Sequence, residues 1–89
     1  MALKVAVQMD PLERINIDGD TTFLMMLSAQ ARGHSLFVYT PDQLALENGR
    51  ALARGRAVTV QDVKGDHAAF GPWERVDLSE MDVVLLRQD

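Results

Sequence analysis

The stretch LKVAVQMDPLERINIDGDTTFLMMLSAQARG, from Leu3 to Gly33, decides the fold class of this 89-residue chain. It begins with a run rich in valine and alanine, Leu3 to Gln8, which predicts a strand inside a mostly parallel sheet. Met9-Asp10-Pro11 ends that strand, because a residue before proline is pushed out of helical geometry. A polar loop and a helix follow, which is how open α/β sheets place ligands beyond the carboxyl ends of their strands.

The helix is predicted over residues 21–32. Asp20 can accept hydrogen bonds from the first free amides and is the expected N-cap. Gly33 supplies the left-handed residue that ends the helix. We expect Met25 and Met26 to fill core and surface positions. The apolar arc predicted to face the sheet consists of Phe23, Leu24, Leu27 and Ala31.

Two more strands are predicted further along the chain. Residues 34–40 are β-branched and aromatic and are closed by Pro41, so they form a second strand, parallel to the first through a right-handed crossover. Residues 82–86 predict a third buried strand, after a polar lead-in at 77–81. The region between, 62–76, is predicted to be a loop whose aromatic side chains fold back against the sheet.

A β-hairpin is predicted between the second and third strands. Asn48-Gly49 is the strongest two-residue hairpin signal, because both positions of a type I′ turn need positive φ. The arms are residues 44–47 and 50–61. One face of the longer arm carries three arginines, which form either a solvated face or a contact with another domain or subunit: Arg50, Arg54 and Arg56.

The amino-acid composition and the net charge argue against several classes of protein. A hydrophobic fraction of 47% and a charged fraction of 25% are typical of globular domains and argue against disorder. The chain has no cysteine, which excludes disulfides and a cysteine-based metal site. Its net charge of −4 argues against nucleic-acid binding. Because no secretory signal or membrane-length apolar run is visible, we expect a cytoplasmic protein without a membrane partner.

A set of motifs shared with one enzyme family runs along the whole chain: Leu3–Met9 before Asp10-Pro11, Ile15-Asn16-Ile17, Asp20-Thr21-Thr22-Phe23, Arg32-Gly33-His34, Asn48-Gly49 and Leu85-Leu86-Arg87-Gln88-Asp89. In this order they resemble the N-terminal domain of bacterial glutathione synthetase. Family members usually carry serine where this sequence has Thr21 and Thr22, and the hydroxyl groups are kept. The family's ATP-grasp domains come after the last of these motifs, so we expect the 89 residues to be a fragment.

The resemblance implies an α/β fold over residues 1–89, a Rossmann-like (pre-ATP-grasp) three-layer unit with a mostly parallel sheet and an inserted β-hairpin. It implies an ATP-dependent glutathione synthase that joins γ-glutamylcysteine to glycine through an acyl-phosphate, with Mg²⁺. ATP and Mg²⁺ would be bound mainly by the ATP-grasp domains, so no cofactor is expected in this chain. The N-terminal domain would help to form the peptide-substrate side of the cleft and a homo-oligomer surface, and alone it would be catalytically silent.

Arg87 and Asp89 are the first candidates for substrate binding. Arg87 follows the last predicted strand, where its guanidinium can bind a carboxylate bidentately, as a dipeptide with two carboxylates requires. The alternative is a structural arginine paired with Asp82 or Asp89. Asp89 would orient Arg87 or contact the substrate amine, although the last residue of a chain is usually poorly ordered.

The other candidates belong to the loop and the helix start. Free amides and the macrodipole favour anions there, which makes Asp20, Thr21 and Thr22 candidate substrate-binding residues. Capping alone explains Asp20, so the threonines are the better candidates. Asp10 and Asn16 flank the loop at the cleft edge, and turn formation is their alternative role.

Two other functions fit the same residues. One is a module that binds a small anion without catalysis, through the loop and the helix start. The other is an oligomerisation or interaction element, because an open sheet edge can pair with another strand. His34 and His67 lack suitably spaced partners, so neither is expected to bind a metal.

Overall fold

The structure, a computed structural model, describes residues 2–9, 21–63 and 67–86. The helix α1 (Thr21–Ala31) connects the first two strands, and 3₁₀ turns lie at Pro41–Gln43 and Leu78–Glu80. Within these ranges no helix is long and apolar enough to cross a membrane. In chain order the strands are β1 (Lys4–Gln8), β2 (Ser35–Tyr39), β3 (Leu44–Glu47), β4 (Arg50–Val60), β5 (Ala68–Asp77) and β6 (Val83–Leu86).

The described strands form one mixed sheet. β1 lies between β2 and β6 and is parallel to both, with Val7 level with Val38 on one side and Leu85 on the other. β4 runs antiparallel to β2 and carries β5 along its other edge, while β3 continues the line of β2 along β4. The predicted parallel pairing of β1 and β2 is therefore confirmed, but the antiparallel pairings make the sheet mixed and not mostly parallel.

Most of the predicted elements are present with small shifts at their ends. The third predicted strand, β6, was expected to be buried, and that part of the prediction is wrong, because Val84 is 38% and Leu86 60% exposed. The hairpin turn has positive φ at Asn48 (51°) and Gly49 (77°), as a type I′ turn requires. Gly33 follows α1 with φ of 85°, the left-handed conformation that glycine adopts after a helix. The local signals for turns and helix ends were therefore sufficient to place these features.

The face of α1 that contacts the sheet differs from the prediction. Phe23 and Met26 are fully buried, whereas Leu24 is 56% exposed. Leu27 is partly buried and Ala31 is exposed. The buried pair is spaced i, i+3, so the contact stripe is rotated away from the predicted arc. Apolar residues occur on most sides of α1, which is why periodicity alone did not locate the stripe.

Residues 62–76, predicted to be a loop, contain most of β5, and that prediction is wrong. β5 pairs with β4 over Leu52–Val60. The pairing is irregular opposite Ala57, where two residues of β5, one of them Pro72, face a single residue of β4. Proline cannot donate to the ladder, and such bulges are found in edge strands. The glycines and the proline therefore mark a bulged edge strand.

Side chains pack on both faces of the sheet. The core on the α1 side consists of Val5, Val7, Met9, Phe23, Met26, Leu36, Val38, Val58 and Val60. The core on the other face consists of Ala6, Phe37, Tyr39 and Ala53. β1 and β2 are thus buried on both faces, which explains their continuous apolar sequences. Phe70 packs against the first core as predicted, whereas Trp73 is 53% exposed, contrary to the prediction.

A glutamine side chain completes the sheet where the pairing with β2 stops. β2 pairs with β4 only as far as Val58. Beyond it, Gln30 of α1 donates from Nε2 to the Val60 carbonyl at 2.6 Å and accepts from the Val60 amide at 2.7 Å. The side-chain amide therefore satisfies the two backbone groups that a neighbouring strand would otherwise pair.

Candidate functional site at the strand ends

The carboxyl ends of the three parallel strands lie side by side. Gln8 is level with Tyr39 of β2 and with Leu86 of β6. The amide of Met9 donates to the Tyr39 carbonyl at 3.1 Å, which extends the contact beyond β1. The order of the elements predicts that Thr21, the first residue of α1, lies at the same edge. We call this edge, marked by Gln8, Tyr39 and Leu86, the strand-end rim.

Of the predicted site residues, the two threonines belong to the part of the chain that the structure describes. Thr21 is exposed and Thr22 is partly buried, and the substrate-binding role of each stays a prediction. Leu86, which precedes Arg87 in sequence, ends β6 beside Gln8. The remaining predicted site residues lie outside the described part of the chain, and their roles stay predictions: Asp10, Asn16, Asp20, Arg87 and Asp89.

Sequence reasoning missed polar groups at the ends of β1 and β2. Gln8, the last residue of β1, is partly buried, and so is Thr40, which follows β2. The Tyr39 side chain is buried, and burial raises the pKa of its phenol above the ordinary value of 10.0, so the hydroxyl stays neutral at physiological pH. The sequence did contain a signal for them. Each of these residues ends or follows a predicted parallel strand, which is where ligands of α/β sheets bind.

The observed and predicted polar groups of the site are divided between the two faces of the sheet. Tyr39 packs in the core opposite α1, and strand alternation places Gln8 on that same face with Ala6. Thr21 belongs to α1, which covers the other face. A ligand that contacts Gln8 and also the predicted residue Thr21 must therefore lie across the edge of the sheet.

The described part of the rim is suited to hydrogen bonding and carries no charge. Its amide and hydroxyl groups can orient polar ligand atoms, and they are neutral near pH 7. Among the described residues no group of three or more His, Cys, Asp or Glu side chains is close enough to hold a metal ion. The described rim can therefore bind and position a ligand, and we assign no metal-dependent step to it.

Comparison with known proteins identifies the family. The family model described as the N-terminal domain of prokaryotic glutathione synthetase matches residues 3–89. The chain is 60% identical to a glutathione synthetase of Brucella melitensis and 56% identical to one of Mesorhizobium japonicum, in both cases over its whole length. It is 39% identical to a glutathione synthetase of Salmonella typhimurium over 98% of the chain.

The match covers nearly all of this chain but a minor part of its relatives. The chain spans 28% of the length of each of these three proteins. The matched region includes all the described strands and α1, and therefore the whole strand-end rim. On this evidence, the chain belongs to the family of prokaryotic glutathione synthetase N-terminal domains.

Proposed function

We propose that the chain is the substrate-side domain, residues 1–89, of a glutathione synthase that ligates γ-glutamylcysteine and glycine. The complete protein uses ATP and Mg²⁺ and passes through an acyl-phosphate. In this proposal the present chain binds the peptide substrate, and the ATP-grasp domains hold nucleotide and metal. The complete protein is a cytoplasmic homo-oligomer, and the chain alone is catalytically silent. The fold is the Rossmann-like unit that precedes ATP-grasp domains.

The family match over residues 3–89 is the observation that carries this proposal. The parallel arrangement of β1, β2 and β6 supports it, because ligands of open α/β sheets bind at the carboxyl ends of the strands. The described residues form no metal-binding group. The proposal assigns ATP and Mg²⁺ mainly to the ATP-grasp domains.

Two side chains have defined roles in the proposal. Arg87 binds a carboxylate of γ-glutamylcysteine through two parallel hydrogen bonds, the geometry for which guanidinium is suited. Thr21 is exposed at the start of α1 and donates its hydroxyl to the same ligand. Both residues act on binding of the peptide and leave the chemical step to the ATP-grasp domains.

The test is an assay of the full-length protein for glutathione formation. Product should form only when ATP, Mg²⁺, glycine and γ-glutamylcysteine are all present. A folded protein that binds γ-glutamylcysteine but never forms glutathione would contradict the proposal and support the small-anion binding module instead.

A pair of variants tests the assigned roles. Arg87→Ala should raise the KM for γ-glutamylcysteine by roughly tenfold to a hundredfold, the value of a hydrogen bond to a charged group, and leave the KM for glycine unchanged. Arg32→Ala is the matched control, since Arg32 is exposed just after α1. Equal effects of Arg87→Ala on both substrates would remove Arg87 from the peptide site.

A further inference from the structure

A concave surface lies on the far side of β2 from β1 and β6. It is a groove of about 500 Å³ between the 3₁₀ turn Pro41–Gln43, β3, β4 and β5. Its apolar wall includes Leu52, which is buried, and the indole of Trp73, which is half-exposed. We call it the hairpin groove. The strand-end rim does not include it, and the proposed function assigns it no role.

Charged groups of opposite sign line the hairpin groove without being paired to each other. Asp42 accepts hydrogen bonds from the Thr40 hydroxyl and from the Gln43 amide, at 3.2 Å from Gln43 Nε2, and these bonds hold the pKa of its carboxyl below 3.8. The guanidinium carbon of Arg54 lies 4.8 Å from the centroid of the Trp73 ring. Within the described residues, Asp42 has no cationic partner and Arg54 has no carboxylate partner.

The neighbouring arginines on the same face are already engaged. Arg75 pairs with Glu47 at 2.7 Å, and Arg50 lies 3.8 Å from Asp77. Arg56 donates from Nε to a backbone carbonyl of β5 at 2.8 Å. Among these described arginines, Arg54 is therefore the one whose N–H groups remain available to a ligand in the groove. Stacking on the indole of Trp73 holds its guanidinium in place.

We propose that the hairpin groove binds a zwitterionic α-amino acid with an apolar side chain. The ligand ammonium lies beside Asp42, the ligand carboxylate accepts from Arg54, and the apolar side chain packs against Leu52 and Trp73. A purely anionic ligand fits less well, because Glu74 also lines the groove and adds a second carboxylate. A ligand carrying both charges satisfies both sets of groups at once.

The experiment uses three related probes on the full-length protein: L-leucine, N-acetyl-L-leucine, which lacks the ammonium, and L-leucinamide, which lacks the carboxylate. Binding is followed through the indole NMR signal of Trp73, assigned with a Trp73→Phe variant. L-leucine should bind with a dissociation constant on the order of 1 mM, as expected for a small ligand in an open groove, and more tightly than either derivative.

Two charge-removing variants identify the contacts. Asp42→Asn should abolish the preference for L-leucine over N-acetyl-L-leucine, and Arg54→Gln should abolish its preference over L-leucinamide. Both residues are exposed, so the variants should stay folded, which circular dichroism checks. Arg32→Gln, outside the groove, should change neither preference.

Three results would overturn the proposal. The first is the absence of saturable shifts of the Trp73 signal with L-leucine. The second is an equal loss of affinity for all three probes in both variants. The third is a Trp73 signal that depends on protein concentration and not on the probes, because the groove would then be a contact between two copies of the chain.

Discussion

Among the glycines that the structure describes, Gly55 is the one whose replacement by alanine should destabilise the fold most. Gly55 is buried in β4, beside β2. A Cβ at this position would fall against the carbonyl oxygen of Val38, and would lie 2.8 Å from Cζ of Phe37 and 2.9 Å from Cβ of Tyr39. Carbon atoms pack best at about 3.5–4.0 Å, so all three contacts are repulsive.

The magnitude follows from what must move to relieve these contacts. The oxygen belongs to the backbone of β2, so it cannot retreat without displacing β2 from β4. Overpacking of this kind costs about 1–3 kcal/mol, and a backbone obstacle places Gly55→Ala near the upper value. In a domain of this size the melting temperature should then fall by roughly 10–20 °C.

Gly71→Ala is the matched control. Gly71 lies in β5, and a Cβ there would meet Ala57 at 3.6 and 3.7 Å, which is ordinary van der Waals contact. The free energy of unfolding should therefore change little or rise by up to about 1 kcal/mol, because alanine lowers the entropy of the unfolded chain.

The assay compares the two variants with the parent chain in urea unfolding, followed by circular dichroism and by the fluorescence of Trp73, the single tryptophan. Equal stability of Gly55→Ala and Gly71→Ala would refute the close packing of β4 on β2. A loss confined to Gly55→Ala would support it.

Further expected outcomes concern individual contacts. Gln30→Leu leaves two backbone groups of β4 without their side-chain partner and should lower the free energy of unfolding by about 1–3 kcal/mol, measured by urea unfolding; no change would exclude the bonds described for Gln30. Met26→Ala should cost about 2–5 kcal/mol, whereas Met25→Ala, at a half-exposed position, should stay within about 0.5 kcal/mol; equal losses would place both on the same side of α1. The amide and hydroxyl of Ser79 hold the pKa of Asp77 below 3.8, so this carboxylate stabilises the fold at neutral pH and its contribution is lost as the pH falls below about 4; Asp77→Asn should flatten that part of a stability–pH curve, and an unchanged curve would contradict the contact.

Local chemistry accounts for the features that the sequence could predict. Asn48-Gly49 and Gly33 mark positions where φ must be positive, and both were found where expected. The continuous apolar runs of β1 and β2 arise because these strands are buried on both faces. Such signals depend on neighbouring residues only, so they can be read without knowledge of the tertiary structure.

Tertiary contacts determine the features that the sequence did not reveal. Leu24 and Phe23 are both apolar, and only packing against the sheet decides that Phe23 is buried. β5 contains Gly71 and Pro72, which signal a loop, but pairing with β4 holds the segment as a bulged strand. The pairing in this case overrode the local preference.

The sequence predicted the candidate site only in part. Parallel strands place their ends together, so the edge that Gln8 shares with Tyr39 and Leu86 followed from the order of the elements. Tyr39 and Thr40 were missed because they read as strand and turn residues. The hairpin groove was not predictable, since Asp42 and Arg54 come together only through the pairing of β3 with β4.

The most direct test of the peptide-binding role is an NMR titration of the full-length protein with γ-glutamylcysteine. If the peptide binds at the strand-end rim, we expect saturable shifts for Gln8, Thr40 and the predicted contact residue Thr21. Leu46, 79% exposed near the hairpin turn, should not shift. Saturable shifts at Leu46 together with unchanged signals at Gln8 and Thr40 would contradict a peptide-binding site at the strand-end rim.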